Sequence, residues 1–340
     1  MRLWYVQAGQ AGQRLDQALT SLLPGLGLRG RRRLLENGRV LLNGRPALAA
    51  CRVREGDRLE LADTLPAESS PAGLTAGARL LARQGDYAFF FKPAGMHSVA
   101  LAGSTAPSLE ACLPGLLAES SPQAMDNAAS GRTHEPMEPD RGGAVLLQRL
   151  DRGTSGIVCA ALTGRAAQGF RDMERTGQAE KLYVALLCGV LDGPRCVRFG
   201  LDTARRRKSR LLPEQGDPSR WTEFWPLFYW QGADAAAVLA ALGWGKVSPD
   251  AGEATGASSM TLAACRIRRG ARHQIRAHAA SLGLPLWGDA LYGCPASEPD
   301  TTKFFLHHGL LRFPGASCAV LPAWSLPPEA HAALKKLFEI

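Results

Sequence analysis

The sequence predicts an α+β protein with a mixed sheet in its main domain and a smaller α+β unit before that domain. Short apolar runs, such as residues 157–162, have the length and composition of buried strands. Other segments, such as residues 165–175, place apolar side chains at helical spacing. Strand and helix segments follow one another in an order that includes hairpins, and this order is typical of α+β folds.

The first unit is predicted to span residues 12–63 and to contain two helices. Four leucines recur at helical spacing in the first helix: Leu15, Leu19, Leu22 and Leu23. The second helix lies in the basic segment 29–38, where Leu34 and Leu35 face inward. We expect the arginines of this segment to lie on its exposed side: Arg29, Arg31, Arg32 and Arg33.

Strands and a linker complete the first unit. Residues 40–45 predict a strand that enters a tight turn at Asn43 and Gly44, and residues 59–61 predict another short strand. Residues 64–78 are rich in Ala, Pro, Ser and Gly, which indicates a flexible linker. The main domain is therefore predicted to span residues 79–340.

The main domain has a regular series of predicted elements. Strands are expected at residues 144–147, 157–162, 181–190 and 261–268, and the first two should be buried. Helices are expected at residues 165–175 and 272–282. Residues 115–143 are polar and contain several prolines and serines, so a long surface loop is expected there.

The charge balance of the chain favours a nucleic-acid partner. Its 340 residues carry a formal net charge of +9, and an anionic membrane surface is the alternative partner for such a chain. No apolar run approaches the ~20 residues of a membrane-spanning helix. The first residues also lack the charged and apolar regions of a signal peptide. We therefore expect no membrane association.

The eight cysteines are scattered, and no Cys-x-x-Cys pair occurs among them. This distribution favours a reducing cytoplasm as the location. His273 and His278 have a spacing known from zinc sites, but no cysteine pair accompanies them. No bound metal is expected.

Asp151 is the leading candidate for a catalytic residue. It lies on a turn rich in Gly, Ser and Thr between two predicted strands, with Arg149 and Arg152 close to it in sequence. Neighbouring cations keep such a carboxylate ionised and hold it in place. The alternative is a structural ion pair that ties the loop to the sheet.

The stretch from Arg149 to Gly156 resembles the catalytic signature of the RluA family of pseudouridine synthases. Further segments match the motifs of that family in the same order: residues 91–95, 181–186, 273–278, 288–293 and 306–307. The similarity runs from about residue 79 to about residue 326. It implies the pseudouridine synthase fold, which has a largely antiparallel mixed sheet with a central cleft. It also implies an isomerisation that requires no cofactor.

The resemblance implies a role for each matched residue. Asp151 matches the catalytic aspartate, which either attacks the sugar or base covalently or stabilises the sugar while the bond breaks. Arg276 matches the basic residue that pairs with this aspartate. Tyr183 matches the tyrosine that stacks on the target base, although a tyrosine is also common in strands. Arg149 matches the arginine that replaces the flipped uridine, or it is a second ion-pair partner for Asp151.

Four more residues are expected to contact the substrate: Lys92, Arg152, His273 and Gln274. Lys92 begins a Lys-Pro-Ala-Gly segment that should bend tightly beneath the site, and it should pair with an acid or a phosphate. The histidines at 307 and 308 are expected to form hydrogen bonds in the core.

The N-terminal unit resembles the RNA-binding module of the ribosomal protein S-four type. The matching features are residues 14–16, the arginine segment, Asn43–Gly44 and Gly56–Asp57. If the resemblance holds, the arginines bind RNA phosphates. The alternative is a solvated basic face.

Two positions depart from the pattern of the family. Gln148 replaces its usual histidine, and Ala271 replaces an arginine that appears one residue later, at Arg272. The sequence predicts a monomeric RNA pseudouridine synthase that acts on large-subunit ribosomal RNA. The alternatives are transfer RNA as the substrate, or a non-catalytic RNA-binding or ribosome-assembly factor that retains the fold.

Overall fold

A computed structural model describes most of the chain. The described residues are 2–23, 31, 34–35, 40–47, 51–61, 77–100, 106–119, 143–204, 208–244, 259–294 and 304–340. They form two compact units, one within residues 1–74 and the other within residues 75–340. Apart from Gly77 and Ala78, the predicted linker 64–78 lies outside the described residues.

In the N-terminal unit a helix packs against a small antiparallel sheet, and the described residues Arg31, Leu34 and Leu35 are also helical. Its elements are β1 (Arg2–Tyr5), α1 (Leu15–Leu22), β2 (Val40–Leu42), β3 (Arg45–Pro46) and β4 (Arg58–Leu61). The strand order is β1-β4-β2-β3, so the unit contains a strand that precedes the predicted start at residue 12. Asn43 and Gly44 both have positive φ, 54° and 77°, as the turn of a two-residue hairpin requires. This confirms the predicted turn.

Arg31 corrects our expectation for the basic segment. Its side chain is only 9% exposed, and its Nε donates a hydrogen bond to the carbonyl oxygen of Asp16 at 3.0 Å. The reason is helical spacing, because Arg31 precedes the buried Leu35 by four residues and shares its face. The prediction that Arg31 lies on the exposed side was therefore wrong. The other three arginines of the segment, Arg29, Arg32 and Arg33, lie outside the described residues.

The main unit is built on a large mixed sheet. Its strands are β5 (Arg79–Gln84), β6 (Tyr87–Lys92), β7 (Val145–Leu146), β8 (Ser155–Ala161), β9 (Glu180–Cys188), β10 (Arg195–Val197), β13 (Thr222–Gln231), β14 (Ser259–Ile267), β15 (Leu306–Phe313) and β16 (Ala316–Ala319). Strands β11 (Phe199–Asp202) and β12 (Arg210–Glu214) form a separate hairpin.

The strand order of the large sheet is β10-β13-β14-β9-β15-β8-β6-β5, with β16 on β15 and β7 on β8. Strands β15 and β8 run parallel, and the other described neighbours are antiparallel. The predicted α+β class with a mixed, largely antiparallel sheet is therefore confirmed. The predicted buried strand at 144–147 is reduced to the two residues of β7, and Val145 is 49% exposed because β7 pairs only with β8 among the described strands.

Five described helices belong to the main unit: α2 (Leu109–Ala118), α3 (Gly164–Arg175), α4 (Gly232–Ala241), α5 (Gln274–Ser281) and α6 (Pro328–Phe338). The predicted helices at 165–175 and 272–282 are confirmed as α3 and α5. The loop predicted from residue 115 starts too early, because Leu116 is buried in the core and α2 continues to Ala118. Residues 120–142 of that loop lie outside the described residues. None of the described helices has the length and apolar character needed to cross a membrane.

Candidate active site

Asp151 lies on the loop between β7 and β8, and backbone hydrogen bonds fix this loop. The amide of Leu150 donates to the hydroxyl of Ser98, which donates back to the carbonyl of Leu150, both at 2.9 Å. The amide of Thr154 donates to the carbonyl of Asp151 at 3.0 Å. The side chain of Asp151 remains 22% exposed. The carboxylate is therefore held in place and still accessible.

Arg276 on α5 joins Asp151 to a second carboxylate. Its Nη1 lies 2.9 Å from Oδ2 of Asp151, so the predicted ion pair is present. Its Nε and Nη2 donate to the two oxygens of Asp289 at 2.7 and 2.8 Å. Burial opposes the charge of Arg276, but the two carboxylates outweigh burial and raise its pKa. Asp151, Arg276 and Asp289 form an ionic network. Arg276 and Asp289 are buried in it, and the Asp151 carboxylate is partly exposed.

Two aromatic rings fix the plane of the Arg276 guanidinium. Its central carbon lies 4.2 Å from the ring centre of Phe304 and 5.2 Å from that of Tyr292. Cations are attracted to the faces of such rings, most strongly where water is excluded. Arg276 therefore has little freedom to turn away from Asp151.

His273 is a second group beside the carboxylate. It has φ 57° in the turn before α5, and its Nε2 lies 3.7 Å from Oδ2 of Asp151. Its Nδ1 lies 3.2 Å from the hydroxyl of Tyr292. Burial lowers the pKa of His273, although the charge of Asp151 opposes this effect. The expected contact residue Gln274 is buried, and its amide bonds within the protein to Arg220 and Thr222.

Tyr183 on β9 presents the aromatic ring of the site. It is buried in the same core cluster as Leu150 and Ile275, the residues next to Asp151 and Arg276. Its ring stacks on the imidazole of His308, with centres 4.4 Å apart and planes 14° from parallel. Burial, and then the charge of Asp151, raise the pKa of Tyr183. Its hydroxyl is therefore protonated at neutral pH.

Lys92 lies beneath the Asp151 loop at the end of β6. It is fully buried, and its Nζ donates to the carbonyl oxygens of Met96 at 2.8 Å, Pro93 at 2.9 Å and Arg152 at 3.4 Å. Burial lowers the pKa of Lys92 to about 7, and the charge of Asp151 raises it. These contacts brace the bend and the loop, and they turn the ammonium away from solvent.

Arg149 and Arg152, which flank Asp151 in the sequence, are exposed. The arginine that pairs with the Asp151 carboxylate is Arg276. Arg152 donates from Nε to the carbonyl of Gly95 at 3.0 Å, and Arg149 is open to solvent. The structure thus brings Asp151, Arg276, His273 and Tyr183 together. It leaves the two exposed arginines at the rim of the same loop.

Sequence reasoning missed Asp289 as a member of the site. The Oδ1 of Asp289 accepts a hydrogen bond from the amide of Tyr292 at 3.3 Å. Its main contact is nevertheless the paired bond to Arg276. His308, Tyr292 and Phe304 were also missed as ring contacts of the site. The signal available in the sequence was the matched motif at residues 288–293, which contains Asp289 and Tyr292.

Comparison with known proteins identifies the family of this chain. The family model described as RNA pseudouridylate synthase matches residues 86–281. A protein of Mycobacterium bovis named as an uncharacterized RNA pseudouridine synthase is 30% identical over 303 residues, which cover 88% of this chain and 83% of that protein. A protein of Chloroflexus aurantiacus with the same description is 27% identical over 91% of this chain and 84% of its own length.

Two more similarities concern the RluA type and the fold. The dual-specificity RNA pseudouridine synthase RluA of Escherichia coli is 27% identical over 178 residues, which cover 52% of this chain and 69% of that protein. The solved structure of human RNA pseudouridylate synthase domain containing 1 has a TM-score of 0.50 at 19% identity. That match covers 78% of this chain and 90% of the human one, and it shows a shared fold.

The fold, with a carboxylate held by a buried arginine beside a tyrosine ring, defines an enzyme of the pseudouridine synthase class. The chain belongs to the RNA pseudouridylate synthase family, since the family model matches more than half of its residues, and it is of the RluA type.

Proposed function

We propose that this enzyme converts uridine to pseudouridine in structured RNA and that Asp151 is its catalytic carboxylate. The observation that carries this proposal is the 2.9 Å ion pair between Arg276 and an Asp151 side chain that is still 22% exposed. A carboxylate that is oriented and accessible can act on the sugar or the base of a flipped nucleotide. Asp151 shares this partial exposure with Glu174 and Glu223, and it differs from them in having both a buried arginine and His273 beside it.

The neighbouring groups have supporting roles in this proposal. Arg276 orients the Asp151 carboxylate, because Asp289 holds the other side of its guanidinium. Tyr183 offers a ring for the target base, and base–aromatic stacking is worth about 1–3 kcal/mol. Arg149 is exposed next to Asp151, a position from which it can occupy the gap left by a flipped base. The isomerisation needs no added group, so no cofactor is proposed.

Large-subunit ribosomal RNA is the proposed target. This choice rests on the N-terminal unit, whose helix and four-stranded sheet are compatible with the S-four-type module that its sequence resembles. Transfer RNA is the alternative, and the printed name of the Escherichia coli relative, a dual-specificity enzyme, favours testing both. We also propose that the enzyme works in the cytoplasm as a monomer.

Release of tritium from RNA labelled at carbon five of uridine tests the proposal, because this hydrogen leaves when the new bond forms. The full chain should release label from total cellular RNA, and Asp151→Ala should release none. Asp172→Ala is the matched control, because Asp172 is an exposed carboxylate on α3 and its loss should leave the rate unchanged.

Two outcomes would contradict the proposal. Equal release by the wild type and Asp151→Ala would remove Asp151 from the chemistry. RNA binding by the wild type without any release would support a non-catalytic RNA-binding factor instead. Separate assays with ribosomal and transfer RNA fractions then identify the substrate class.

A further inference from the structure

The ring of Tyr183 has a partner that no sequence motif assigned to the site. His308 on β15 lies directly opposite Tyr183 on β9 in the strand register. Their rings are 4.4 Å apart and 14° from parallel, which is the geometry of a stacked pair. His308 also lies beyond residues 86–281, the range that the family model matches.

His308 is itself held from the other side by β8. Its Nδ1 lies 2.6 Å from the carbonyl oxygen of Ile157, and because a carbonyl only accepts, Nδ1 carries the proton and donates. Burial lowers the pKa of His308 to about 3, so the ring is neutral. A neutral, fully buried imidazole with a fixed donor has one orientation.

Gly156 shows how closely this arrangement is packed. It is the second residue of β8 and is paired with His308 in the parallel ladder. A Cβ atom at Gly156 would lie 2.2 Å from the carbonyl oxygen of His308, so no other residue fits without a backbone shift. The strand that begins just after the Asp151 loop is therefore in direct contact with the residue that backs Tyr183.

We propose that His308 is a positioning residue that fixes the ring of Tyr183 relative to Asp151, so that the target base stacks only on the opposite ring face. This inference rests on the proposed function. His308 is bonded to β8, the strand that follows the Asp151 loop, and it stacks on the Tyr183 ring of β9. It therefore fixes the position of that ring relative to the loop. On the other side of Tyr183 the register places Cys265 of β14, a side chain much smaller than an imidazole.

Three substitutions separate the contribution of the ring from that of the hydrogen bond. His308→Phe keeps a stacking ring and loses the donor to Ile157. His308→Asn keeps a donor near the position of Nδ1 and loses the ring. His308→Ala loses both. If the ring positions Tyr183, His308→Phe should retain most of the wild-type kcat on tritium-labelled cellular RNA.

His308→Asn and His308→Ala should lose about 10-fold to 100-fold in kcat, as small misplacements of catalytic groups do. KM should change little, because phosphate contacts contribute most of the affinity for RNA. Melting temperatures identify any variant that loses its fold. Wild-type kcat in folded His308→Asn and His308→Ala would overturn the inference, and so would a His308→Phe variant no more active than His308→Asn.

A spectroscopic measurement keeps the inference testable without catalysis. The contribution of Tyr183 to the near-ultraviolet circular dichroism is obtained by subtracting the spectrum of the Tyr183→Phe derivative from the spectrum of the same protein with Tyr183 intact. This signal should be present in the wild type and in His308→Phe, and it should collapse in His308→Asn and His308→Ala. An unchanged tyrosine signal in the latter two would overturn the positioning role. Absence of tritium release by the wild type would instead count against the proposed function alone.

Discussion

The two halves of the site are held in different ways. Asp151, Arg276 and Asp289 form a chain of charged groups, joined by three side-chain bonds of 2.7 to 2.9 Å across a loop, a helix and a turn. Tyr183 and His308 are opposite residues of two paired strands, and their side chains contact each other through their ring faces. The geometry of the charged half depends on each buried charge having a partner of opposite charge. The geometry of the ring half depends on the register of strands β9 and β15.

This difference determines what each half tolerates. A buried charge that loses its partner costs several kcal/mol, so the charged half should couple activity to stability. A ring contact between strands is worth about 0.5–1.5 kcal/mol beyond its burial. Substitutions in the ring half should therefore alter activity while the fold persists.

Arg276→Met should have the largest effect. It leaves the fully buried Asp289 without its paired donors, so we expect the free energy of unfolding to fall by about 3–5 kcal/mol. Tritium release should also be lost. Chemical denaturation followed by circular dichroism measures the first effect.

Arg312→Met is the matched control for Arg276→Met. Arg312 is 45% exposed and pairs with an exposed glutamate, so its loss should cost less than about 1 kcal/mol. The double variant Arg276→Met with Asp289→Leu should regain part of the lost stability, because it removes the unpaired buried charge. Equal stability of the Arg276 and Arg312 variants would contradict the ionic account.

Asp289→Asn should have the next largest effect. The amide keeps the shape of the carboxylate but removes one of the two charges that face Arg276. We expect a loss of about 1–3 kcal/mol in stability, the range for a weakened buried hydrogen-bond partner. The rate should fall but remain measurable, because the Asp151 carboxylate itself is intact. If Asp289→Asn kept the wild-type rate and the wild-type stability, the negative charge of Asp289 would not be needed to hold Arg276 in place.

Lys92→Met tests the pH dependence beneath the Asp151 loop. Burial lowers the pKa of Lys92 to about 7 from its ordinary 10.5. Between these values the unfolded chain keeps a proton that the folded chain has released, so stability should rise with pH in that window. For one proton the rise is at most about 1.4 kcal/mol per pH unit.

The slope of the unfolding free energy against pH should therefore be smaller in Lys92→Met than in the wild type above pH ~7. Lys335→Met, at an exposed lysine on α6, should keep the wild-type slope. If Lys92→Met also keeps it, the three carbonyl oxygens around Nζ hold the ammonium charged over the whole range.

The sequence predicted residue types better than it predicted partners. Asp151, Arg276 and Tyr183 were identified because each lies in a local motif with a definite spacing. Asp289 and His308 were not, although Asp289 lies in a matched motif, because their roles arise from contacts with other elements of the fold. Asp289 lies 13 residues from Arg276, across the end of a helix, and no local pattern encodes that pairing.

The secondary structure shows the same limit. Helix α3 was predicted to within one residue, because the helical spacing of its apolar face is a local signal. Strand β7 was predicted as buried, but burial depends on which strands lie beside it. Arg31 was assigned to the surface from its charge, whereas its position four residues before Leu35 directs it inward.

Tyr183→Phe should have the smallest effect and sharpens the account of the ring half. Phenylalanine keeps the ring on His308, and no described side chain bonds to the Tyr183 hydroxyl, so stability should change by less than about 0.5 kcal/mol. Affinity for RNA should also persist.

Tyr183→Leu removes the ring and should weaken binding of the flipped base by about 1–3 kcal/mol. Because burial and Asp151 raise the pKa of Tyr183, its hydroxyl stays protonated at neutral pH and can donate a hydrogen bond to the substrate. Any loss of kcat in Tyr183→Phe, at unchanged affinity and stability, measures that donation. A loss as large as that of Tyr183→Leu would mean that the hydroxyl, and not the stacked ring, is what this strand contributes.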